Sequence, residues 1–336
     1  MNIRFRMEKE EHERLSPMAA FSDESKGRLH VLEEEENDVR TNFQRDIDRI
    51  VHCKSFRRLM HKTQVFLRPE GDHYRTRMTH TLEVARIART IACALSLNED
   101  LTEAIAMGHD LGHTPFGHAG EGALSACIGR DFRHNEQSLR VVDLLEGGKG
   151  LNLTYEVRMG ILKHTGNAIP ETLEGQIVRF SDRIAYVNHD IDDAIRAGIL
   201  HNTDIPQSIA DVLGQNHSQR INTLVCDMIL TSRDAGKICL SDKVDIALQD
   251  LRGFMFDHVY RNPVAKGEER KAKEMLQRLY EHYFEHPEAL PEDFQMQIEK
   301  GSKEITVCDY IAGMTDGYAV DKYTEIFIPM GWSVRN

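Results

Sequence analysis

The 336-residue sequence has few of the residues that interrupt helices or cross-link chains. It contains only nine prolines, so long helices are allowed over most of its length. Its six cysteines include no CxxC pair, a pattern that favours reduced thiols packed as small apolar side chains. A disulfide framework is therefore excluded.

Long apolar runs are also missing. No window holds the ~18 consecutive apolar residues that a membrane-spanning helix needs, and the charged start MNIRFRMEKEEHERL is unlike a signal peptide. The net charge of −12, with histidine neutral, disfavours nucleic acid as a partner, because such binding relies on basic surfaces. We expect a cytoplasmic globular protein with no membrane partner, for which nucleic acid binding is possible but not expected.

Apolar residues recur at helical spacing, as in the stripe Ile177, Phe180 and Ile184, and alternating runs are nearly absent. This periodicity predicts an all-α fold. We divide it into a charged N-terminal arm over 1–40, a helical core over 41–200, and a C-terminal helical region over 201–336 that packs on the core. The arm, which includes the acidic run Glu33–Glu36, is expected to be solvated and partly helical.

Seventeen histidines invite a search for a metal site. Four residues of metal-ligand type lie in three separate helical segments: His80, His109, Asp110 and Asp182. Mixed imidazole and carboxylate sets favour Mn²⁺, Fe²⁺, Mg²⁺ or Zn²⁺ over a metal that prefers thiolates. Asp190 shares a helix face with Asp182 and competes for its role, whereas His189, Asp192 and Asp193 are interpreted as lying outside the ligand set, with the two aspartates solvated.

Chemistry-bearing residues are densest between 109 and 121, where the sequence reads HDLGHTPFGHAGE. An apolar helix runs into His109 and is broken by Gly112 and Pro115. His118 and Glu121 are three residues apart, a spacing at which a carboxylate can orient an imidazole. A connecting loop would explain the glycines but not three histidines and two carboxylates within thirteen residues.

Together with this run, four further stretches resemble the HD-domain phosphohydrolases, and specifically the dNTP triphosphohydrolases of the bacterial dGTPase type. They are FRRLMHKTQVF at 56–66, RTRMTHTLEVA at 75–85, SDRIAYVNHD at 181–190 and DYIAGMTD at 309–316. The resemblance implies an HD-domain helical bundle and a metal-dependent hydrolase, which converts a dNTP and water into a deoxynucleoside and inorganic triphosphate.

The resemblance also implies a role for each matching position. The implied ligands of Mn²⁺, Mg²⁺ or Fe²⁺, with Zn²⁺ less favoured, are His80, His109, Asp110 and Asp182. The implied catalytic residues are His118, the Glu121 that orients it, and two histidines near the phosphates, His113 and His134. The implied substrate-binding residues are Arg77 and Arg183 for phosphate, and Gln64, Tyr186 and Asp190 for deoxyribose. The stretch at 309–316 is explained by packing, and Tyr260 is given no catalytic role.

The local charge agrees with a triphosphate ligand. Between residues 52 and 90 the sequence contains nine Lys/Arg and three acidic residues, which gives a local charge of +6. Positive charge in a partly enclosed cleft attracts anions strongly. No Walker loop GxxxxGK[ST] competes for the phosphates. Relatives form even-numbered homo-oligomers, so we expect a dimer, tetramer or hexamer, with an allosteric dNTP as a further candidate partner.

Two other interpretations stay open. One is a different HD phosphohydrolase, acting on nucleoside monophosphates or cyclic nucleotides, which would use the same metal ligands. The other is a regulator that senses dNTPs or binds single strands. The HTPFGHAGE run and the pair Arg77 and Arg183 favour a triphosphate that leaves as one unit, and the intact ligand set argues against a regulator.

Overall fold

A computed structural model describes residues 3–31, 39–64, 75–261 and 263–329. Within these ranges the chain forms sixteen α-helices and no β-strand, with only two isolated β-bridges, so the all-α prediction is confirmed. No described helix is both long enough and apolar enough to cross a membrane. The acidic run Glu33–Glu36 lies outside the described residues.

Along the chain the helices are α1 Ile3–Arg14, α2 Asn42–Val51, α3 Lys54–Arg58, α4 Arg77–Ala94, α5 Glu99–Gly108, α6 His118–Ile128, α7 His134–Arg140, α8 Tyr155–Lys163, α9 Leu173–Arg196, α10 Gln207–Leu213, α11 His217–Ser232, α12 Asp242–Met255, α13 Pro263–Glu285, α14 Glu292–Lys300, α15 Lys303–Ala312 and α16 Asp316–Phe327.

Three of these helices, α4, α5 and α9, pack against one another and form the frame of the site. Each begins at a side-chain cap: Thr76, Asn98 and Thr172 accept hydrogen bonds from backbone N–H groups in the first turn. Such caps satisfy donors that would otherwise be unpaired at the helix start. The caps therefore fix where each of the three helices begins and where the residues of its first turn lie.

Two apolar cores are present. The first joins α2 to α5 with α8 to α12 and includes fully buried residues such as Ile91, Ile105 and Ile184. The second joins α6 to α13, α15 and α16 through residues such as Leu124 and Leu276. The helices of the C-terminal region are therefore divided between the two cores. The domain boundaries at residues 40 and 200 stay predictions.

The segment after α1 is not solvated, so the expectation of a solvated arm is wrong there. Leu15 and Ala19 are buried in the first core, and Glu174 of α9 accepts a hydrogen bond from the backbone N–H of Ala20 at 3.0 Å. Glu156 of α8 likewise accepts from the backbone N–H of Lys26 at 2.8 Å. The segment packs because carboxylates of α8 and α9 accept hydrogen bonds from its backbone N–H groups. The charged composition of the segment gives no sign of these contacts.

The crossing of α5 and α8 depends on a glycine, and this dependence can be tested. A Cβ on Gly160 would lie 2.5 to 2.8 Å from three side-chain atoms of the fully buried Ile105. Gly160→Ala should therefore lower the free energy of unfolding by ~1–3 kcal/mol through overpacking. Urea unfolding followed by circular dichroism measures this change.

A matched control is Gly267→Ala in α13, where no heavy atom of the described residues lies within 4 Å of the new Cβ. Because alanine is the better helix former, this control should be neutral or more stable by up to ~1 kcal/mol. Equal stability of the Gly160 and Gly267 variants would contradict the close crossing of α5 and α8.

Candidate metal centre and adjoining cavity

The four residues predicted as metal ligands lie together where α4, α5 and α9 meet. His80 is in the first turn of α4, His109 and Asp110 directly follow α5, and Asp182 is in the middle of α9. Nε2 of His80 is 3.1 Å from Oδ1 of Asp182. Nε2 of His109 is 3.3 Å from Oδ1 of Asp110 and 3.8 Å from Oδ1 of Asp182. Ligands of one cation, each about 2.1 Å from it, lie at similar spacings.

The hydrogen bonds around these residues fit a cation. Nδ1 of His109 donates to the carbonyl oxygen of Ala106 at 2.6 Å, which leaves the lone pair on Nε2. That nitrogen is buried and has no hydrogen-bond partner among the described residues. Burial acts to raise the pKa of both carboxyl groups, but neighbouring histidines hold the pKa of Asp110 and Asp182 well below the usual range. A buried lone pair beside two ionised carboxylates is a set of donors suited to a divalent metal.

Asp182, not Asp190, lies beside the two histidines predicted as ligands. Asp190 is fully buried about two turns further along α9, and its Oδ2 accepts a short hydrogen bond from the hydroxyl of Tyr260. Burial raises the pKa of Asp190 to about 8, so its carboxyl group is protonated at neutral pH. A neutral acid is a poor metal ligand, so of the two aspartates the geometry favours Asp182, and the ligand assignment stays a prediction.

The four predicted catalytic residues form a second group beside the first. Nε2 of His113 is 3.2 Å from Oδ1 of Asp110, and its ring stacks on that of His134 with 4.0 Å between centroids. Glu121 contacts two histidines: Oε2 is 3.0 Å from Nδ1 of His118, and Oε1 is 2.7 Å from Nδ1 of His134. The His118 side chain is 72% exposed. One carboxylate therefore orients both a solvent-facing and a half-buried imidazole.

The turn before α6 brings Arg77 and Gln64 to the same place. Gly117 has φ +54°, and a Cβ there would lie 3.0 Å from Nη2 of Arg77 and 3.7 Å from the carbonyl oxygen of Gln64. Nη1 of Arg77 donates to Oδ2 of Asp110 at 3.0 Å. Glycine at 117 thus permits both the left-handed backbone and the close approach of the guanidinium group.

A cavity of about 530 Å³ lies along α9, and none of the four predicted metal ligands lines it. Arg183 and Tyr186 line it from α9, and Arg252 and Tyr260 line it from α12 and the turn that follows. Neither guanidinium group forms a salt bridge with a described residue. The rings of Tyr186 and Tyr260 stack with 5.8 Å between centroids. The cavity therefore combines two arginines and two aspartates, Asp245 and Asp257, with an aromatic wall.

Sequence reasoning missed three residues of this region: Arg252, Tyr260 and His164. His164 follows α8, is 2% exposed, and lies with its ring 5.0 Å from that of His109. Tyr260, to which the sequence gives no catalytic role, contacts both Tyr186 and Asp190. None of the three belongs to a local motif, so only the tertiary fold reveals them.

The expectation for the end of α9 also needs correction. Asp193 is 2% exposed and lies 3.2 Å from Nη1 of Arg75, so it is not solvated. Asp192 is half-buried and lies 2.9 Å from Nδ1 of His217. His189 is buried with its ring 5.9 Å from that of His80, as a neighbour of the ligand set. The helix is covered by α4 on one side and α11 on another, so more than one face is buried.

Two protein families match the regions that build this geometry. The HD domain family matches residues 77–187, and the phosphohydrolase-associated domain family matches residues 238–325. A deoxyguanosinetriphosphate triphosphohydrolase-like protein from Caldanaerobacter subterraneus subsp. tengcongensis is 54% identical over 100% of this chain and 99% of its own length. Another, from Clostridium tetani, is 47% identical over 98% and 97%.

The chain belongs to the deoxyguanosinetriphosphate triphosphohydrolase-like family of HD-domain proteins. In this family member the HD match spans all four metal-ligand residues, because it begins at Arg77 and ends at Val187. The phosphohydrolase-associated match supplies Arg252 and Tyr260. Both matched regions therefore line the cavity, and HD domains bind divalent metals, in agreement with the His/Asp group described above.

Metal binding gives the first test of the site. Wild-type protein should retain one divalent ion per chain after gel filtration, and its unfolding free energy should rise by ~2.7 kcal/mol at a cation concentration of about 100 Kd. His109→Ala should lose both effects because it removes the buried lone pair. Elemental mass spectrometry and thermal unfolding measure them.

His286→Ala serves as the control, because His286 is an exposed histidine outside the site. Its metal content should equal that of the wild type. Retention of the ion by the His109 variant would contradict the assigned centre.

Proposed function

We propose that this chain is a metal-dependent dNTP triphosphohydrolase, which converts a dNTP and water into a deoxynucleoside and inorganic triphosphate. The observation that carries the proposal is the His/Asp cluster with an imidazole oriented by Glu121 beside it. A cavity along α9 that contains Arg183 and Arg252 supports it. The printed names of the relatives, deoxyguanosinetriphosphate triphosphohydrolase-like proteins, support the same reaction.

His80, His109, Asp110 and Asp182 would hold the cation. When bound, a divalent cation polarises a phosphoryl oxygen and lowers the pKa of a water molecule. The chain's own contribution is to present two imidazoles and two carboxylates in a largely buried setting. Arg77 donates to the outer oxygen of Asp110 and so keeps that carboxylate oriented toward the histidines.

His118 is assigned the role of general acid. Water adds to the α-phosphorus, the bond from phosphorus to the 5′-oxygen breaks, and the leaving 5′-oxygen takes a proton from His118. Glu121 contacts Nδ1 of His118, so Nε2 is directed away from the carboxylate and is exposed for this transfer. Such general acid catalysis typically contributes ~10²–10⁴-fold.

The remaining residues would bind the substrate. Arg183 and Arg252 line the cavity without salt bridges to described residues, and we assign them to a triphosphate with about four negative charges, although Asp245 and Asp257 line the same cavity. His113 and His134 lie beside Asp110 of the metal cluster. Deoxyribose is assigned to Gln64, Tyr186 and Asp190, and the ring of Tyr260 stacks on that of Tyr186.

Product analysis distinguishes this proposal from the two alternatives. Inorganic triphosphate and deoxynucleoside in equal amounts are expected from each hydrolysed dNTP. Orthophosphate, or cleavage of a cyclic nucleotide, would instead indicate a different HD phosphohydrolase. Binding of dNTPs that survives the loss of His109, with no turnover in the wild type, would indicate a regulator.

His118→Ala tests the acid role. It should lower kcat by ~10²–10⁴-fold while the metal content stays unchanged, because His118 is outside the ligand cluster. Steady-state kinetics with Mn²⁺ or Mg²⁺ and elemental analysis of the same sample provide the two readings. A normal kcat in this variant would remove His118 from the mechanism.

Tyr260→Phe tests the sugar site. The change removes the only donor to Oδ2 of Asp190 among the described residues, and Oδ1 is already buried without a partner there. We expect KM for the dNTP to rise about tenfold, the cost of leaving a buried acceptor unsatisfied, with a smaller effect on kcat.

The matched control is Tyr155→Phe, which removes a hydroxyl group that contacts the surface residue Glu171, away from the cavity. Its KM should equal that of the wild type. An unchanged KM in the Tyr260 variant would show that Asp190 does not contact the substrate.

The physiological cation, the homo-oligomeric state, an allosteric dNTP and the cytoplasmic location stay predictions from the sequence. The four dNTPs, assayed singly and in pairs, would determine base preference and activation.

A further inference from the structure

We propose that Asp316 is a positioning residue, which holds the turn before α6 and so keeps the general acid His118 in its place beside His113. The contacts of Asp316 are independent of the activity, whereas their catalytic consequence rests on the proposed function. Asp316 is 3% exposed and is the first residue of α16. It is also the last residue of the stretch 309–316, for which packing was the expected explanation.

The turn before α6 has an unfavourable backbone conformation. Phe116 has φ +60° and Gly117 has φ +54°. Glycine adopts this left-handed region freely, but a residue with a bulky side chain adopts it only where the surrounding structure holds it there. The carbonyl oxygen of Gly117 accepts from the backbone N–H groups of Gly120 and Glu121, at 3.0 and 3.2 Å. The direction in which α6 starts, and with it the place of His118, therefore depends on this conformation.

Two contacts hold Phe116. Its side chain lies in the second core, and the residue is 6% exposed. Its backbone N–H donates to Oδ1 of Asp316 at 3.0 Å, and no other acceptor for this N–H is found among the described residues. A buried N–H that lost its acceptor would be costly. Apolar packing therefore fixes the ring of Phe116, and Asp316 fixes its backbone.

The second oxygen of Asp316 extends the connection to the start of α4. Oδ2 accepts from the backbone N–H of Thr63 at 2.9 Å and from its hydroxyl group at 2.7 Å. Thr63 forms a β-bridge with Thr76. The carbonyl oxygen of Lys62 accepts from the backbone N–H of Arg77 at 3.0 Å. One carboxylate thus sets the start of α6 relative to the start of α4.

Lys62 supports the same connection from beside Thr63. It is 2% exposed, and its Nζ donates to the carbonyl oxygen of Ala312 at 2.8 Å. The same Nζ contacts the carbonyl oxygen of His113. Ala312 is the last residue of α15. The connection from α15 to α16 is therefore linked to the turn before α6 at two points, through Lys62 to His113 and through Asp316 to Phe116.

The stretch 309–316 also contacts α7, whose first residue is His134. Asp309 is 2% exposed and accepts from Nε2 of Gln137 at 2.9 Å. Nη2 of Arg140 lies 2.7 Å from Oδ2 of Asp309. A buried carboxylate is costly unless hydrogen bonds compensate it, and apolar packing alone requires neither aspartate. Each of the two aspartates binds a segment that carries a predicted catalytic histidine.

The catalytic consequence follows from how the proton reaches the leaving group. Glu121 contacts His118 from within α6, so this pair does not depend on Asp316 for its own geometry. The place of the pair relative to the substrate does depend on Asp316, because the turn sets it. A displacement of about 1 Å can cost about 10²-fold in rate. Loss of Asp316 should therefore impair proton transfer to the leaving 5′-oxygen while the metal ligands stay in place.

The test compares a dNTP with its 5′-thio analogue. In the analogue water adds to the α-phosphorus, the bond from phosphorus to sulfur breaks, and the sulfur leaves as a thiolate, which needs little help from an acid. Asp316→Ala should lower kcat for the dNTP by about 100-fold and kcat for the analogue by less than about threefold. A role in folding alone would lower both values by the same factor.

Asp316→Asn provides a milder variant. Its amide has one oxygen for the two backbone donors of Phe116 and Thr63, so one of the two contacts is lost in either orientation. The variant should lower kcat for the dNTP by about tenfold, between the wild type and Asp316→Ala, and should again spare the analogue.

Asp46→Asn is the matched control for Asp316→Asn. Asp46 of α2 is fully buried and contacts Arg28. Its Oδ2 accepts from the backbone N–H of Thr154 at 2.9 Å and from its hydroxyl group at 2.7 Å, the same donors that Thr63 offers to Asp316. The control should lower the unfolding temperature and leave kcat unchanged with both substrates.

His118→Ala separates this proposal from the proposed function. If His118 is the acid, its loss should also spare the analogue. Asp316→Ala should then lower kcat no further in the His118→Ala background, because both changes impair the same step. An inactive wild type, or a His118 variant that loses kcat equally with both substrates, would refute the proposed function instead.

Amide hydrogen exchange tests the contact without reference to activity. The amide of Phe116 should exchange slowly in Mg²⁺-loaded wild-type protein and faster by about tenfold or more in both Asp316 variants. Amides inside α4 and α5 should stay as slow as in the wild type, which shows that the variants are folded. Fast exchange of Phe116 in the wild type would overturn the proposal. Equal losses of kcat with the two substrates in Asp316→Ala, beside a His118→Ala that spares the analogue, would also overturn it.

Discussion

Two carboxylates and two imidazoles lie together at the meeting point of three helices, three of them buried and Asp182 partly exposed, and the rest of the site depends on how this charge is balanced. Asp110 and Asp182 stay ionised because histidines and Arg77 surround them. Arg77 lies at the start of α4 and reaches Asp110 past Gly117. The charge that remains is what a divalent cation would neutralise, so the same packing that builds the core also builds the metal centre.

Glu121 organises the neighbouring half of the site. A carboxylate has two oxygens, and in this protein each contacts a different histidine. One ring is exposed and the other is half-buried. One helix turn of α6 thus supplies both His118 and the carboxylate that contacts His118 and His134.

The sequence predicted the helical fold and the metal cluster because both leave local signs. Apolar spacing identifies helices, and His109 next to Asp110 before a broken helix identifies a ligand pair. Arg252, Tyr260 and His164 leave no such sign, since the site residues that they adjoin are distant in the chain. Asp193 was predicted to be solvated because the prediction assumed that α9 has one buried face. The helix has more than one buried face, so Asp193 is buried. The N-terminal segment was predicted to be solvated because it is rich in charge. It is packed because carboxylates of α8 and α9 accept hydrogen bonds from its backbone.

Asp316, the first residue of α16, connects parts of the chain that belong to different cores. Its Oδ1 accepts from the backbone N–H of Phe116 at 3.0 Å, and its Oδ2 accepts from the backbone N–H and hydroxyl of Thr63. A single carboxylate thus holds together the turn before α6 and Thr63, the residue before Gln64. A protein shortened before Asp316 would keep its four predicted metal ligands but lose the contacts that hold the turn before α6 and Thr63. The geometry around the HD helices therefore depends on a residue near the C-terminal end of the chain.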